Sequence, residues 1–147
     1  MNIAIWLERS ARSLADQPAL FVGRVCVATY GEFFEQAMAV AGWLAEQGIG
    51  AGDRVGLFMK NVPEYLVAQY GAWALGAVVV PVNAKLHARE AAWILENAQA
   101  SLCFTSSTLH AALSDVTNVP CCNVQGSAWP GILAETPIAQ VAERAPD

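Results

Sequence analysis

The side chains with chemical reach are few and scattered. The histidines are His87 and His110, and neither stands beside a serine or cysteine in a nucleophile signature such as GxSxG. Carboxylates occur singly along the chain, so no spaced pair offers acid–base work. Cys26, Cys103, Cys121 and Cys122 form no CxxC pair and have no histidine at zinc spacing, which predicts buried free thiols in a reducing cytoplasm. Gly48-Ile49-Gly50-Ala51-Gly52 has the composition of a phosphate loop, but it follows a helical pattern and precedes a strand. A dinucleotide fingerprint needs the reverse order, so the run reads as a turn. Lys60-Asn61 opens a helix at the carboxyl end of a strand, where open sheets tend to bind ligands, yet no GK[ST] sequence follows it. From residue types and spacing, residues 1–147 are predicted to hold no catalytic, cofactor-binding or metal-binding residue.

The elements that would have to position any site are organised around Gly52 to Asn83. Arg54 to Met59 is a short apolar strand, Asn61 to Leu75 carries apolar residues at helical spacing, and Ala77 to Val82 is a β-branched strand. Asn61-Val62-Pro63-Glu64 reads as a capping box with proline in the first turn. Two strands joined by a crossover helix lie parallel in one sheet, and strands this continuously apolar expect cover on both faces. A second such unit runs through a helix from His87 to about Ala98, capped by His87 with Glu90, to a buried strand at Ser101 to Thr105. Ser106 and Ser107 can cap a short helix through Leu113, and Asn118 to Val124 is a weaker strand candidate.

Upstream, Asn2 can cap a helix whose apolar face is Ile3, Trp6, Leu7, Ala11 and Leu14, stopped by Pro18. Ala19 to Val22 and Val25 to Ala28 flank Gly23-Arg24 as a hairpin, with glycine placed for a II′ turn. Thr29 to Glu32 is a capping box, followed by a helix from Tyr30 to about Gln47 with Phe33, Phe34, Ala37, Met38, Ala41 and Leu44 inward and Gly48 as its C′ residue. The remainder, with Pro130, Pro137 and Pro146, reads as loosely packed loop with short helical turns. The fold class is therefore α/β: a mostly parallel sheet covered by helices on both faces, with an N-terminal helix and β-hairpin.

Composition limits the partners. A net charge of −5 and the absence of any Lys/Arg run give no footprint for nucleic acid. Charged residues are 14% of the chain against a usual share of about 25%, while hydrophobic residues are 55%, so much of the surface expects to be covered or to belong to a larger body. Tyr65 to Ala84 is twenty residues without a charge, the length of a bilayer span, but it changes from helical to strand pattern at Gly76 and reads as buried helix then buried strand.

Several motifs, taken together, resemble the N-terminal part of AMP-forming acyl-CoA synthetases, the adenylate-forming superfamily. They are Thr29-Tyr30-Gly31-Glu32-Phe33, Gly48-Ile49, Gly52-Asp53-Arg54-Val55, Asn61 and Glu64, the run Trp73 to Asn83 ending in Gly-Ala-x-x-x-Pro-x-Asn, then Leu86 and Arg89-Glu90. The resemblance covers about residues 1 to 105. It implies a larger enzyme that uses ATP and Mg²⁺ to activate a carboxylic acid, fatty or medium-chain, as an acyl-adenylate, and then transfers the acyl group to coenzyme A. On that basis residues 1–147 are a single N-terminal α/β subdomain, inactive alone, lying upstream of the phosphate loop expected soon after Val141 to Asp147. Some relatives with a short-chain preference hold coenzyme A phosphates with arginines after the strand equivalent to Leu102–Thr105, and the counterpart here, Ser107 to Ala112, contains no arginine. Apolar faces left bare in such a piece expect dimers or higher association. Two rival readings are a stand-alone interaction module that keeps the fold without the chemistry, and a small nucleotide binder using Lys60-Asn61.

Overall fold

A computed structural model describes residues 1–143; the expected loop around Pro146 lies outside them. In chain order the elements are α1 (Ala4–Ser13), β1 (Pro18–Val22), β2 (Val25–Thr29), α2 (Tyr30–Glu46), β3 (Arg54–Phe58), α3 (Pro63–Ala74), β4 (Val78–Pro81), α4 (Ala88–Asn97), β5 (Ala100–Thr105), α5 (Ser107–Ser114), β6 (Cys121–Asn123) and α6 (Trp129–Leu133). β4, β3, β5 and β6 form a parallel sheet in that order, and β1 pairs with β2 as a separate antiparallel hairpin.

Alternation along the central strands splits the core into two layers. Val55, Leu57 and Met59 with Leu102 and Phe104 pack beneath α2, α3 and α6. Phe58 and Cys103 face the other way, onto Ala91, Leu95 and Leu113 of α4 and α5. The helices approach closely because glycine lines both layers: a Cβ on Gly56 would stand 2.3 Å from Leu95 Cδ2, and one on Gly71 would stand 2.7 Å from Val40 Cγ1. The sheet is therefore covered on both faces, as its apolar strands require.

Local signals set several ends as expected. Thr29 Oγ1 accepts from the Glu32 N–H at 3.2 Å while Glu32 accepts from the Thr29 N–H at 2.8 Å, closing the capping box. α2 stops in a Schellman motif: Gly48 has φ +79°, its N–H bonds the Ala45 carbonyl, and the Ile49 N–H bonds that of Leu44. Gly23, at φ +60°, turns the hairpin with Val22 opposite Val25. The uncharged run from Tyr65 divides into α3 and β4, with Gly76 at φ +85° between them. No helix of the described residues is long and apolar enough to cross a membrane.

Four expectations need correction. β4 is an edge strand, not a doubly covered one: Val78 is 40% exposed. Pro81 fits there because the Val82 N–H already bonds the Leu57 carbonyl, so the proline nitrogen points to the open side. α1 buries Ala4, Leu7 and Ala11, leaving Ile3, Trp6 and Leu14 exposed, because the two alanines let it lie close upon α2 and α3. α3 starts one residue late, with Val62 as N-cap and no side-chain cap, since Pro63 at N1 forces its predecessor into extended geometry. The tail is packed rather than loose. Trp129 sits edge-on to Phe104 at 6.1 Å, the Ile138 N–H bonds the Met38 carbonyl, and the Ala142 N–H bonds that of Ala74 at 2.7 Å. Gly42 makes this crossing possible, since a Cβ there would lie 2.0 Å from the Thr136 carbonyl oxygen.

Candidate functional site

The chain leaves β3 toward the face covered by α3 and leaves β4 toward the face covered by α4. Such divergence opens a crevice at the carboxyl edge of a parallel sheet. Here it is a cavity of about 500 Å³ bounded by Met59, Lys60, Tyr65, Val82, Asn83 and Lys85. Its walls are shaped by short local turns. The Val62 N–H bonds the Lys60 carbonyl at 2.9 Å, and Asn83 Oδ1 accepts from the Lys85 N–H at 2.9 Å while its carbonyl accepts from Leu86. Asn83 thus bends the path from strand to helix, as its side chain favours. Burial pushes the Tyr65 hydroxyl above its ordinary pKa, so it stays protonated and polar at the crevice wall. Lys60 and Lys85 are exposed, and neither forms an ion pair among the described residues.

This crevice offers positive charge, amides and a phenol. It offers no carboxylate, imidazole or thiol for proton transfer or nucleophilic attack. Both histidines are committed elsewhere. His87 caps α4, its Nδ1 accepting from the Arg89 N–H at 3.3 Å and its own N–H donating to Glu90 at 2.9 Å. Thr105, fully buried, donates its hydroxyl to the Cys122 carbonyl at 3.2 Å. Its oxygen is 2.9 Å from His110 Nδ1, and with its own proton committed it accepts the imidazole proton. The His110 ring thereby staples α5 to β5 and β6.

The sulfurs behave as packing groups. Burial pushes the thiols of Cys103, Cys121 and Cys122 up, that of Cys122 to about 11, which keeps them out of the thiolate form that reacts. Cys26 departs from the expected burial: it lies exposed on the hairpin, and all four cysteines are free. Ser106, expected to cap α5, is buried at the N-cap with its Oγ unpartnered, while the Ser107 N–H is taken by Gln125 Oε1 at 3.2 Å. No group of three or more His, Cys, Asp or Glu side chains among the described residues is arranged to hold a metal ion. The carboxyl-edge crevice thus presents lysine charge and amides to a ligand, and no carboxylate to a metal ion.

Comparison with known proteins adds what the side chains do not. A family model described as AMP-binding enzyme matches residues 7–144. Among curated proteins, the crotonobetaine/carnitine–CoA ligase of Salmonella paratyphi B is 39% identical over 82 residues, which are 56% of this chain and 16% of that protein. The chain therefore aligns with about a sixth of the length of these curated relatives. Among solved structures, that of VinN superposes with a TM-score of 0.86 at 25% identity, covering 99% of this chain and 40% of its own. The N-terminal domain of FACL13 from Mycobacterium tuberculosis does so with a TM-score of 0.82 at 25% identity, covering 97% and 38%.

Proposed function

Because the chain belongs to the family of AMP-binding enzymes, we propose that residues 1–147 are the N-terminal α/β subdomain of a larger acid–thiol ligase. That enzyme takes ATP with Mg²⁺, joins AMP to a fatty carboxylic acid with release of pyrophosphate, and passes the acyl group to the thiol of coenzyme A with release of AMP, in the cytoplasm. The observation that carries this reading is the unequal coverage: nearly all of this chain superposes on solved relatives, yet it accounts for 40% or less of each of the two described above. The curated relatives are CoA ligases, which supports the same reaction class. Within such an enzyme this subdomain supplies scaffold and the carboxyl-edge crevice, and adenylyl transfer depends on positioned charge that its own side chains do not provide. The isolated chain is therefore inactive.

ATP–pyrophosphate exchange across a panel of carboxylic acids, run on the product of the complete open reading frame, tests the reading. Exchange dependent on one class of acid supports it, and the preferred acid replaces or upholds the fatty assignment. The absence of catalytic donors also suits a stand-alone interaction module. A stop codon directly after Asp147 favours the module, and an open frame encoding a Ser/Thr/Gly-rich loop favours the ligase. Micromolar binding of ATP to the 147-residue chain by calorimetry overturns both in favour of a small nucleotide binder at Lys60-Asn61.

A further inference from the structure

β4 leaves its outer edge open. The Val78 N–H bonds the Asp53 carbonyl at 2.7 Å and the Val82 N–H bonds that of Leu57 at 2.9 Å, both toward β3. Backbone groups of a paired strand alternate in direction, so the N–H and C=O of Val79 point away from β3, and neither has a partner among the described residues. A cavity of about 250 Å³ lies beside the amino end of this edge, walled by Met1, Ile3, Trp73, Val78 and Val79. An edge of this kind is a template for one more strand.

The tail passes beside that edge. After β6 the chain crosses the layer of α2 and α3: Trp129 packs on Phe104, the Ile138 N–H bonds Met38 in α2, and the Ala142 N–H bonds Ala74 at the end of α3. A Cβ on Gly76, just before β4, would stand 3.5 Å from that of Ala142. The tail has thus moved from the β6 side of the sheet to the amino end of β4, over the same face that α3 crosses between β3 and β4 and in the same direction. A strand begun there and laid on the open edge runs parallel to β4. It closes a crossover of the same hand as the β3–α3–β4 unit, the hand that nearly all such connections take.

We propose that polypeptide following residue 147 adds a fifth strand to this sheet, parallel to β4 and bonded through the N–H and C=O of Val79. The inference rests on the ligase reading for the existence of that polypeptide, which the chain's share of 40% or less of the solved relatives supports. Pro81 has no N–H to donate the next bond of the ladder, so the pairing is short. The carboxyl end of the added strand then stands beside Pro81, at the crevice of Lys60, Asn83 and Lys85. Residues that follow it complete a crevice in which this chain places no carboxylate, imidazole or thiol.

Hydrogen exchange resolved to single amides, on the 147-residue chain and on the product of the complete open reading frame, tests it. In the shorter chain Val79 exchanges freely while Val80, whose N–H faces β3, is protected. In the longer product Val79 slows by about a hundredfold or more and Val80 stays protected. Photo-cross-linking of the longer product reads the direction, with Val78→p-benzoylphenylalanine and Pro81→p-benzoylphenylalanine made separately. Both are expected to capture residues beyond Asp147, those captured from Pro81 lying later in the sequence than those captured from Val78. Equal exchange of Val79 in the two proteins, cross-links confined to residues 1–147, or the reverse order of capture overturns the proposal, as does a reading frame that ends at Asp147. Pyrophosphate exchange separates this inference from the reading it rests on. An active product with a freely exchanging Val79 overturns the strand and leaves the ligase standing, and a slowed Val79 in a product without exchange activity does the opposite.

Discussion

Asn2 shows how much a single buried amide can hold. Its Oδ1 accepts from the Ala4 N–H, and its two Nδ2 protons go to the carbonyls of Trp73 and Ala142. Asn2→Ala removes the amide donor from the Ala142 carbonyl and one of the donors to the Trp73 carbonyl, which keeps the Gly76 N–H, in a site 8% exposed, and a stability loss of about 1–3 kcal/mol is expected in urea unfolding. Cys122 gives a pH signature. Its thiol titrates near 11 in the folded chain and at a lower value when unfolded, so between those values only the unfolded state has released its proton, and stability falls as pH rises. The melting temperature is expected to decline above about pH 9, where the unfolded thiol ionises, and the decline to shrink in Cys122→Ala; an unchanged slope counts against this. The caps by Asn2, Thr29 and His87 were legible because each acts within three residues. The Thr105–His110 contact was not, because its third member is a backbone carbonyl seventeen positions from Thr105.

At the scale of elements, the two parallel crossovers and the hairpin were readable because each strand and helix announces itself through its own period. What pattern alone could not supply was which neighbour each face would meet. The apolar period of α1 contains both large and small side chains, and only the shape of α2 and α3 selects Ala4 and Ala11 for the close side. β4 reads like a central strand and lies at the margin, since sheet order is a property of the set. The tail was misread for a related reason: its cover comes from α2 and α3, far away in sequence. Gly42→Ala tests that packing. Alanine is favoured over glycine in a helix by about 1 kcal/mol, but here its methyl would stand 2.0 Å from the Thr136 oxygen. The clash outweighs the propensity gain, so a net loss of roughly 1–2 kcal/mol and faster proteolysis after Leu133 are expected. A stabilised variant with an unmoved tail would count against this packing.

For the molecule as a whole, the family was legible from motifs that shape turns and helix ends, and under the function proposed above this stretch contributes form in place of reacting groups. The tie at Asn2 has a further consequence. It brings the second residue within 2.9 Å of residue 142, so the polypeptide enters and leaves this unit at one corner. A unit with adjoining ends can be set into another chain, or have those ends joined and be opened elsewhere, without moving its core. A circular permutant linked across that corner and opened at exposed Asn118 is expected to keep the parent's circular dichroism spectrum and a cooperative melt; an unfolded product would mean that the corner needs free ends.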